Sequence, residues 1–273
     1  MSNGLIYQLG IIGGGVMGEA LLSRLVSSQV YDASRIIVSD PQASRCEQLQ
    51  TQYSVHTTSD NQAVYRQSET LLLAIKPQIF DSVVNAFDRQ SLEFSQLVLS
   101  ILAGTPLQRL EAAFSGQPVI RAMPNTPAIV GVGMTAIAPG QHVEPEHLER
   151  ARRIFSAVGD VVEVPEYQMD AVTGLSGSGP GYMAVIIEAL TDGGVAVGLP
   201  RAIAAQLALQ TVRGSAELLY QTEMHPAELK DRVTSPGGTT IAGISALESS
   251  AVRSAMIQAI RAAYERSKEL GKG

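Results

Sequence analysis

YQLGIIGGGVMGEALLSRLV, Tyr7 to Val26, changes its hydrophobic period halfway along. Tyr7 to Ile12 is a short apolar run of the kind that forms a buried strand, and Ala20 to Val26 is amphipathic at helical spacing. Between them stands Gly13-Gly14-Gly15-Val16-Met17-Gly18. A glycine loop that leaves a strand and opens a helix permits a tight turn. It also lets an anion approach backbone N–H groups at the positive end of the helix dipole. Alone, GxGxxG marks only a tight turn. In strand–loop–helix context it is the pyrophosphate loop of a dinucleotide-binding unit, with Gly13, Gly15, Val16, Met17 and Gly18 as cofactor contacts.

The pattern continues outward from that loop. Arg35 to Ser39, Thr70 to Ile75, Leu97 to Ile101, Val119 to Ala122, Met134 to Ala138 and Val161 to Val164 also read as strands. Ala43 to Gln52 and Pro77 to Phe87 are amphipathic and fall between the earlier ones, as βαβ units require. The expected architecture is α/β, an N-terminal Rossmann-type doubly wound sheet over residues 1–165. After VVEVPEYQ the alternation stops, and Ala, Leu and Ile recur at helical spacing to the end. Residues 166–273 are therefore expected to be all-helical. No internal repeat or long linker interrupts the two parts.

Candidate cofactor residues lie at strand ends. Asp40 closes the second strand, where an acid can bond the adenosine ribose. It can equally be a helix N-cap, and Ser39, Ser44 and Arg45 around it can hold a 2'-phosphate instead. In LLLAIKPQ, Ala74, Lys76 and Pro77 stand past a buried strand on the ligand-binding edge of such sheets, although a lysine there can also be an ordinary solvated strand end. MPNTP stiffens another such loop with two prolines and points Asn125 and Thr126 toward the nicotinamide.

Composition excludes several classes. With 45% hydrophobic and 17% charged residues the chain is globular, and a net charge of −6 argues against a nucleic-acid partner. Cys46 is the only cysteine, so no internal disulfide forms, which suits the cytoplasm. His56, His142, His147 and His225 lack ligand spacing, and no metal is expected. The most apolar helix, Gly181 to Leu199, is interrupted by Glu188 and Asp192, so no membrane span is expected.

A second glycine loop, LKDRVTSPGGTTIAGI, lies at Leu229 to Ile244. Ser235-Pro236-Gly237-Gly238-Thr239-Thr240 exposes backbone N–H groups at the start of another helix, a geometry that holds a small carboxylate without a cation. The alternative is a plain cap by Thr239 or Thr240, which has no need of two adjacent glycines. TGLSGSGPGY, Thr173 to Tyr182, is a small-residue turn into a long helix, read equally as tight packing or as part of a site.

MPNTP, DAVTGLSGSGP, DGGVAVGLPR and LKDRVTSPGGTT, in that order, make the chain resemble the pyrroline-5-carboxylate reductase family over residues 7 to 270. The resemblance implies reduction of the C=N bond of pyrroline-5-carboxylate by NADPH, with NADH as the alternative, to give proline. It implies that Ser235, Gly237, Gly238, Thr239 and Thr240 bind the substrate, that the Thr240 hydroxyl meets the ring nitrogen, and that Glu223 stands near it. Asn61 and Lys76 match residues lining the dinucleotide. Residues 166–273 become a dimerisation and substrate-binding domain of a homodimer, with a larger ring such as a decamer as a further assembly. One departure is Val16, where the family usually has asparagine. A β-hydroxyacid dehydrogenase has a similar plan but resembles an enzyme needing a lysine early in its helical domain, and none occurs between Lys76 and Lys230. Tyr264 and Lys268 match a short-chain dehydrogenase pair, but in the charged last helix, far from the dinucleotide loop.

Overall fold

In a computed structural model of the chain, residues 7–88 and 94–271 are described. Eight strands, β1 (Tyr7–Ile12), β2 (Ile36–Ser39), β3 (His56–Thr58), β4 (Ser68–Leu73), β5 (Leu97–Ser100), β6 (Val119–Pro124), β7 (Gly133–Pro139) and β8 (Gly159–Glu163), form one sheet in the order β3-β2-β1-β4-β5-β6-β7-β8. Every neighbouring pair is parallel except β6 and β7. The seven expected strands are present, their ends shifted by no more than two residues. Unexpected is β3, an edge strand of three residues, HTT, with no apolar alternation to betray it.

Helices α1 (Val16–Ser27), α2 (Ala43–Tyr53), α3 (Asn61–Gln67), α4 (Phe80–Asn85), α5 (Leu107–Ala113) and α6 (Pro145–Ser156) accompany the sheet. Successive strand residues point to opposite faces, so each strand feeds two cores. Leu9, Ile11, Ile36, Val38, Leu72 and Leu99 join Leu21, Leu25, Ile154 and Phe155 on one side. Ile12, Ile37, Leu71, Leu73 and Val98 join Val64, Phe80, Val84 and Leu110 on the other. Burial on both faces is why the central strands read as unbroken apolar runs. Parallel pairing then lines up the carboxyl ends of β1, β2, β4, β5 and β6 along one edge.

Beyond Glu163 the described chain contains helices and turns only: α7 (Met169–Val172), a π-helical turn at Thr173–Gly177, α8 (Gly179–Ala196), α9 (Arg201–Thr222), α10 (Pro226–Arg232), α11 (Thr239–Ser249) and α12 (Val252–Leu270). Two compact units result, one running to Gly177 and resuming at Ala263, the other Ser178–Ala262. Residues 169–177, α7 and the π-turn, pack with the sheet, and the end of α12 belongs to the same unit. Ser267, 3% exposed, donates to Asp170 Oδ1 at 2.7 Å. No helix among the described residues is long and apolar enough to cross a membrane.

Inside the first unit lies a buried charge. Arg121 on β6 is 4% exposed, and its Nη1 donates to Glu166 Oε1 at 2.7 Å. The same oxygen accepts the Leu107 N–H at 3.0 Å, so one carboxylate neutralises a core cation and caps α5. Glu166→Ala leaves the Arg121 charge unpaired and is expected to cost about 3 kcal/mol in urea unfolding. Replacing both, as Arg121→Met with Glu166→Leu, is expected to cost clearly less.

Candidate active site

The first candidate element is the turn from β1 into α1. Gly13 has φ +104°, and a Cβ there would stand 2.5 Å from the Ala74 carbonyl oxygen, so glycine is required where the turn presses on the β4 end. Gly15 is the N-cap of α1; among the described residues no side chain caps the helix there and nothing lies within 4 Å of a Cβ placed on Gly15. Val16 is exposed and Met17 packs against the core. Uncapped N–H groups above open space fit a pyrophosphate.

Gly14 is held on both sides. Its N–H donates to Asp40 Oδ2 at 3.1 Å, and its carbonyl accepts from Arg45 Nε at 2.6 Å. Arg45 also donates to Gln48 Oε1 at 2.8 Å and to Glu19 Oε2 at 2.5 Å, and Glu19 Oε1 accepts from the Tyr53 hydroxyl at 3.0 Å. Burial works to raise the Glu19 pKa, but hydrogen bonds from Arg45 and Tyr53 and the Arg45 charge outweigh it, leaving the carboxyl below its usual range.

The residues singled out around this loop are therefore largely committed to one another. Asp40 Oδ1 accepts the Gln42 N–H at 3.0 Å, so both oxygens already bind backbone. Ser39 is fully buried and donates to Asn61 Oδ1 at 2.7 Å. Ser44 remains exposed. Ala74 continues the β1–β4 pairing by donating to the Ile12 carbonyl at 2.8 Å, and Lys76 and Pro77 open a 3-10 turn, with Lys76 exposed. Asn125, past the end of β6, is turned toward neighbouring chain. Its Oδ1 accepts from Met134 N at 2.9 Å, and its Nδ2 donates to the Ser176 carbonyl at 3.2 Å and Oγ at 3.4 Å. Sequence reasoning missed the Arg45–Glu19 pairing and the role of Ser176, whose only signal was the density of small residues in TGLSGSGPGY.

The second candidate element lies in the helical unit. Gly237 turns with φ +68°, Gly238 donates to the Ser235 carbonyl at 3.0 Å, and α11 starts at Thr239 with Gly238 as N-cap. Among the described residues no side chain caps α11, and its first turn holds no acid. The nearby cations are paired, Lys230 with Asp231 at 3.1 Å and Arg232 with Glu228 at 2.7 Å. The groups that could receive an anion here are the backbone amides and the hydroxyls of Ser235, Thr239 and Thr240. Glu223 closes α9 with φ +52°, a left-handed conformation unfavourable for a residue with a Cβ. Such strain at a carboxylate is a pointer to use.

The histidines do local work. His225 Nδ1 accepts the Ala227 N–H at the start of α10, and His147 Nδ1 accepts the Glu144 N–H at the start of α6. Among the described residues, no group of three or more His, Cys, Asp or Glu could hold a metal ion.

Comparison with known proteins covers both halves. A family model described as pyrroline-5-carboxylate reductase dimerisation matches residues 166–270, and one described as NADP oxidoreductase coenzyme F420-dependent matches residues 8–104. A pyrroline-5-carboxylate reductase of Synechocystis is 59% identical over 265 residues, 97% of this chain and 98% of that one. The structure of a pyrroline-5-carboxylate reductase from Coxiella burnetii superposes with a TM-score of 0.92 at 34% identity, covering 98% of this chain and 100% of the other. A Plasmodium falciparum pyrroline carboxylate reductase with NADP bound gives 0.87 at 31% identity, over 98% and 99%.

Two outcomes follow from this geometry. Glu223→Gly relieves the left-handed strain and is expected to raise stability by about 1 kcal/mol while lowering turnover, read by thermal unfolding beside steady-state kinetics. Glu19 titrates lower in the folded than in the unfolded chain, so its contribution is full above the ordinary carboxylate pKa of about 4.3 and is lost as pH falls through the folded value. Glu19→Gln should therefore be less stable than the parent at neutral pH, with the gap closing in acid; a constant gap would mean the pairing contributes nothing.

Proposed function

We propose, for a chain that belongs to the pyrroline-5-carboxylate reductase family, that it reduces 1-pyrroline-5-carboxylate to proline with NADPH as the hydride donor. The observation that carries this reading is the Ser235–Thr240 loop. A dinucleotide unit alone suits many dehydrogenases, whereas an uncapped, acid-free helix start fronted by two glycines suits a substrate with a small carboxylate. Reduced nicotinamide, when bound, supplies the hydride that the imine carbon accepts.

The chain's own groups then have defined tasks. Gly13, Gly15, Val16, Met17 and Gly18 receive the pyrophosphate, with Ser39, Asp40, Arg45 and Asn61 at the adenosine end. Ala74, Lys76, Pro77 and Asn125 line the path toward the nicotinamide. Amides of Gly237, Gly238 and Thr239, with the Ser235 hydroxyl, hold the substrate carboxylate. The Thr240 hydroxyl meets the ring nitrogen, and Glu223 supplies negative charge beside the iminium. A protonated imine is far more electrophilic than a neutral one, so the substrate can enter carrying its proton. No strong general acid is then needed, and alignment of the two reactants supplies most of the acceleration.

Residues 166–273 act in this reading as the dimerisation and substrate-binding domain, in a homodimer able to assemble into a ring such as a decamer, in the cytoplasm. The large apolar side chains exposed on α8 and α9, Val185, Leu190, Leu207 and Leu209 among them, support a partner helix surface.

The test is oxidation of NADPH on addition of pyrroline-5-carboxylate, with NADH run in parallel. Thr240→Ala is expected to lower kcat/KM by about a hundredfold with the NADPH dissociation constant unchanged. Wild-type efficiency in that variant overturns the role of Thr240, and absence of turnover in the parent overturns the reading.

A further inference from the structure

Asn125 was expected to face the nicotinamide directly, yet its carboxamide is spent on the chain itself. One end accepts from Met134 on β7, and the other donates twice to Ser176. Ser176 belongs to the π-helical turn Thr173–Gly177, which joins α7 to α8. Turns of this type are rare and are found frequently at functional sites. Here the Ser176 carbonyl accepts from Asn125 Nδ2 at 3.2 Å.

The place of this contact follows from the strand order. The pyrophosphate loop is at the carboxyl end of β1, and Asp40, toward the adenosine, is at the end of β2. A dinucleotide stretched along this edge runs in the opposite direction, past β4 and β5, to bring its nicotinamide toward β6. From β1 to β6 there are three inter-strand spacings, roughly 14 Å, within reach of half a dinucleotide and the side chains around it. Asn125 immediately follows β6 on that edge. Ser176 Oγ accepts from Asn125 Nδ2, which leaves the serine hydrogen free to donate elsewhere.

Resting on the reductase reading above, we propose that Asn125 is a positioning residue that locks the π-turn onto the end of β6, and that the Ser176 hydroxyl it orients donates to the nicotinamide carboxamide. Asn125 thereby acts on the cofactor through Ser176. Its carboxamide suits the task because it presents an acceptor to Met134 and a donor to Ser176 at the same time. An aspartate keeps the first and loses the second.

Asn125→Asp, Ser176→Ala and the double variant test this. In Asn125→Asp, amide exchange across 173–178 should quicken, and NADP+ should bind more weakly while the adenosine half, 2',5'-ADP, binds as in the parent. Turnover should fall about tenfold to a hundredfold. Ser176→Ala should weaken NADP+ but not 2',5'-ADP, with exchange unchanged, since the carbonyl bond persists. The double variant should lose no more NADP+ affinity than Ser176→Ala alone, because Asn125 acts through the hydroxyl that variant removes. Equal weakening of both ligands, additive losses, or unaltered exchange in Asn125→Asp overturns the proposal. Binding and exchange are read without the imine substrate, so failure of the reductase reading would show separately, as absent turnover in the parent.

Discussion

A single peptide unit is gripped from two directions: the Gly14 N–H by Asp40 and the Gly14 carbonyl by Arg45. A loop of three glycines has many accessible conformations, and its value as an anion cradle depends on holding one of them. Both grips come from the end of β2 and the start of α2, so the parallel pairing of β1 with β2 fixes their position. Arg45 reaches on to Glu19 in the first turn of α1, which ties the loop to the helix whose dipole it serves. Loop, strand end and helix start then behave as one rigid piece. A charge-assisted network of this kind is stronger than its separate pairs because each member orients the next.

That network changes how Asp40 and Arg45 are understood. Read as residues, they are a ribose acid and a phosphate cation competing for one cofactor. Read as geometry, they are partners in keeping the loop's shape, and their charges are already answered by backbone N–H groups and by Glu19. Selection between 2'-hydroxyl and 2'-phosphate therefore works against a background of internally compensated charge, with Ser44 as the exposed polar side chain nearby.

Much of the fold was legible because its central strands are buried on both faces and announce themselves as apolar runs bounded by glycine and polar residues. Strand β3 was illegible for the opposite reason: a three-residue edge strand needs no apolar pattern, since pairing with β2 suffices. The two glycine loops were legible because tight turns before helices restrict residue choice severely. Asn125 was found for its position but not its contacts, since nothing local in MPNTP reveals a partner fifty-one residues onward. The Arg45–Glu19 pairing escaped for the same reason, being made across two βα units and not within a helix turn. Local chemistry writes itself into sequence, whereas pairing between distant side chains does so only through the fold.

The return of α12 to the sheet unit has a bearing on how the protein is made. With Ser267 buried against Asp170, a ribosome delivering the chain from its amino end has extruded every strand long before the last contributor to that unit emerges. Nascent sheet and α7 must wait, partly uncovered, through synthesis of the whole helical segment. Completion thus waits until the helical segment has been made, and the interval in which apolar surface stands open is set by elongation rate rather than by the intrinsic speed of folding.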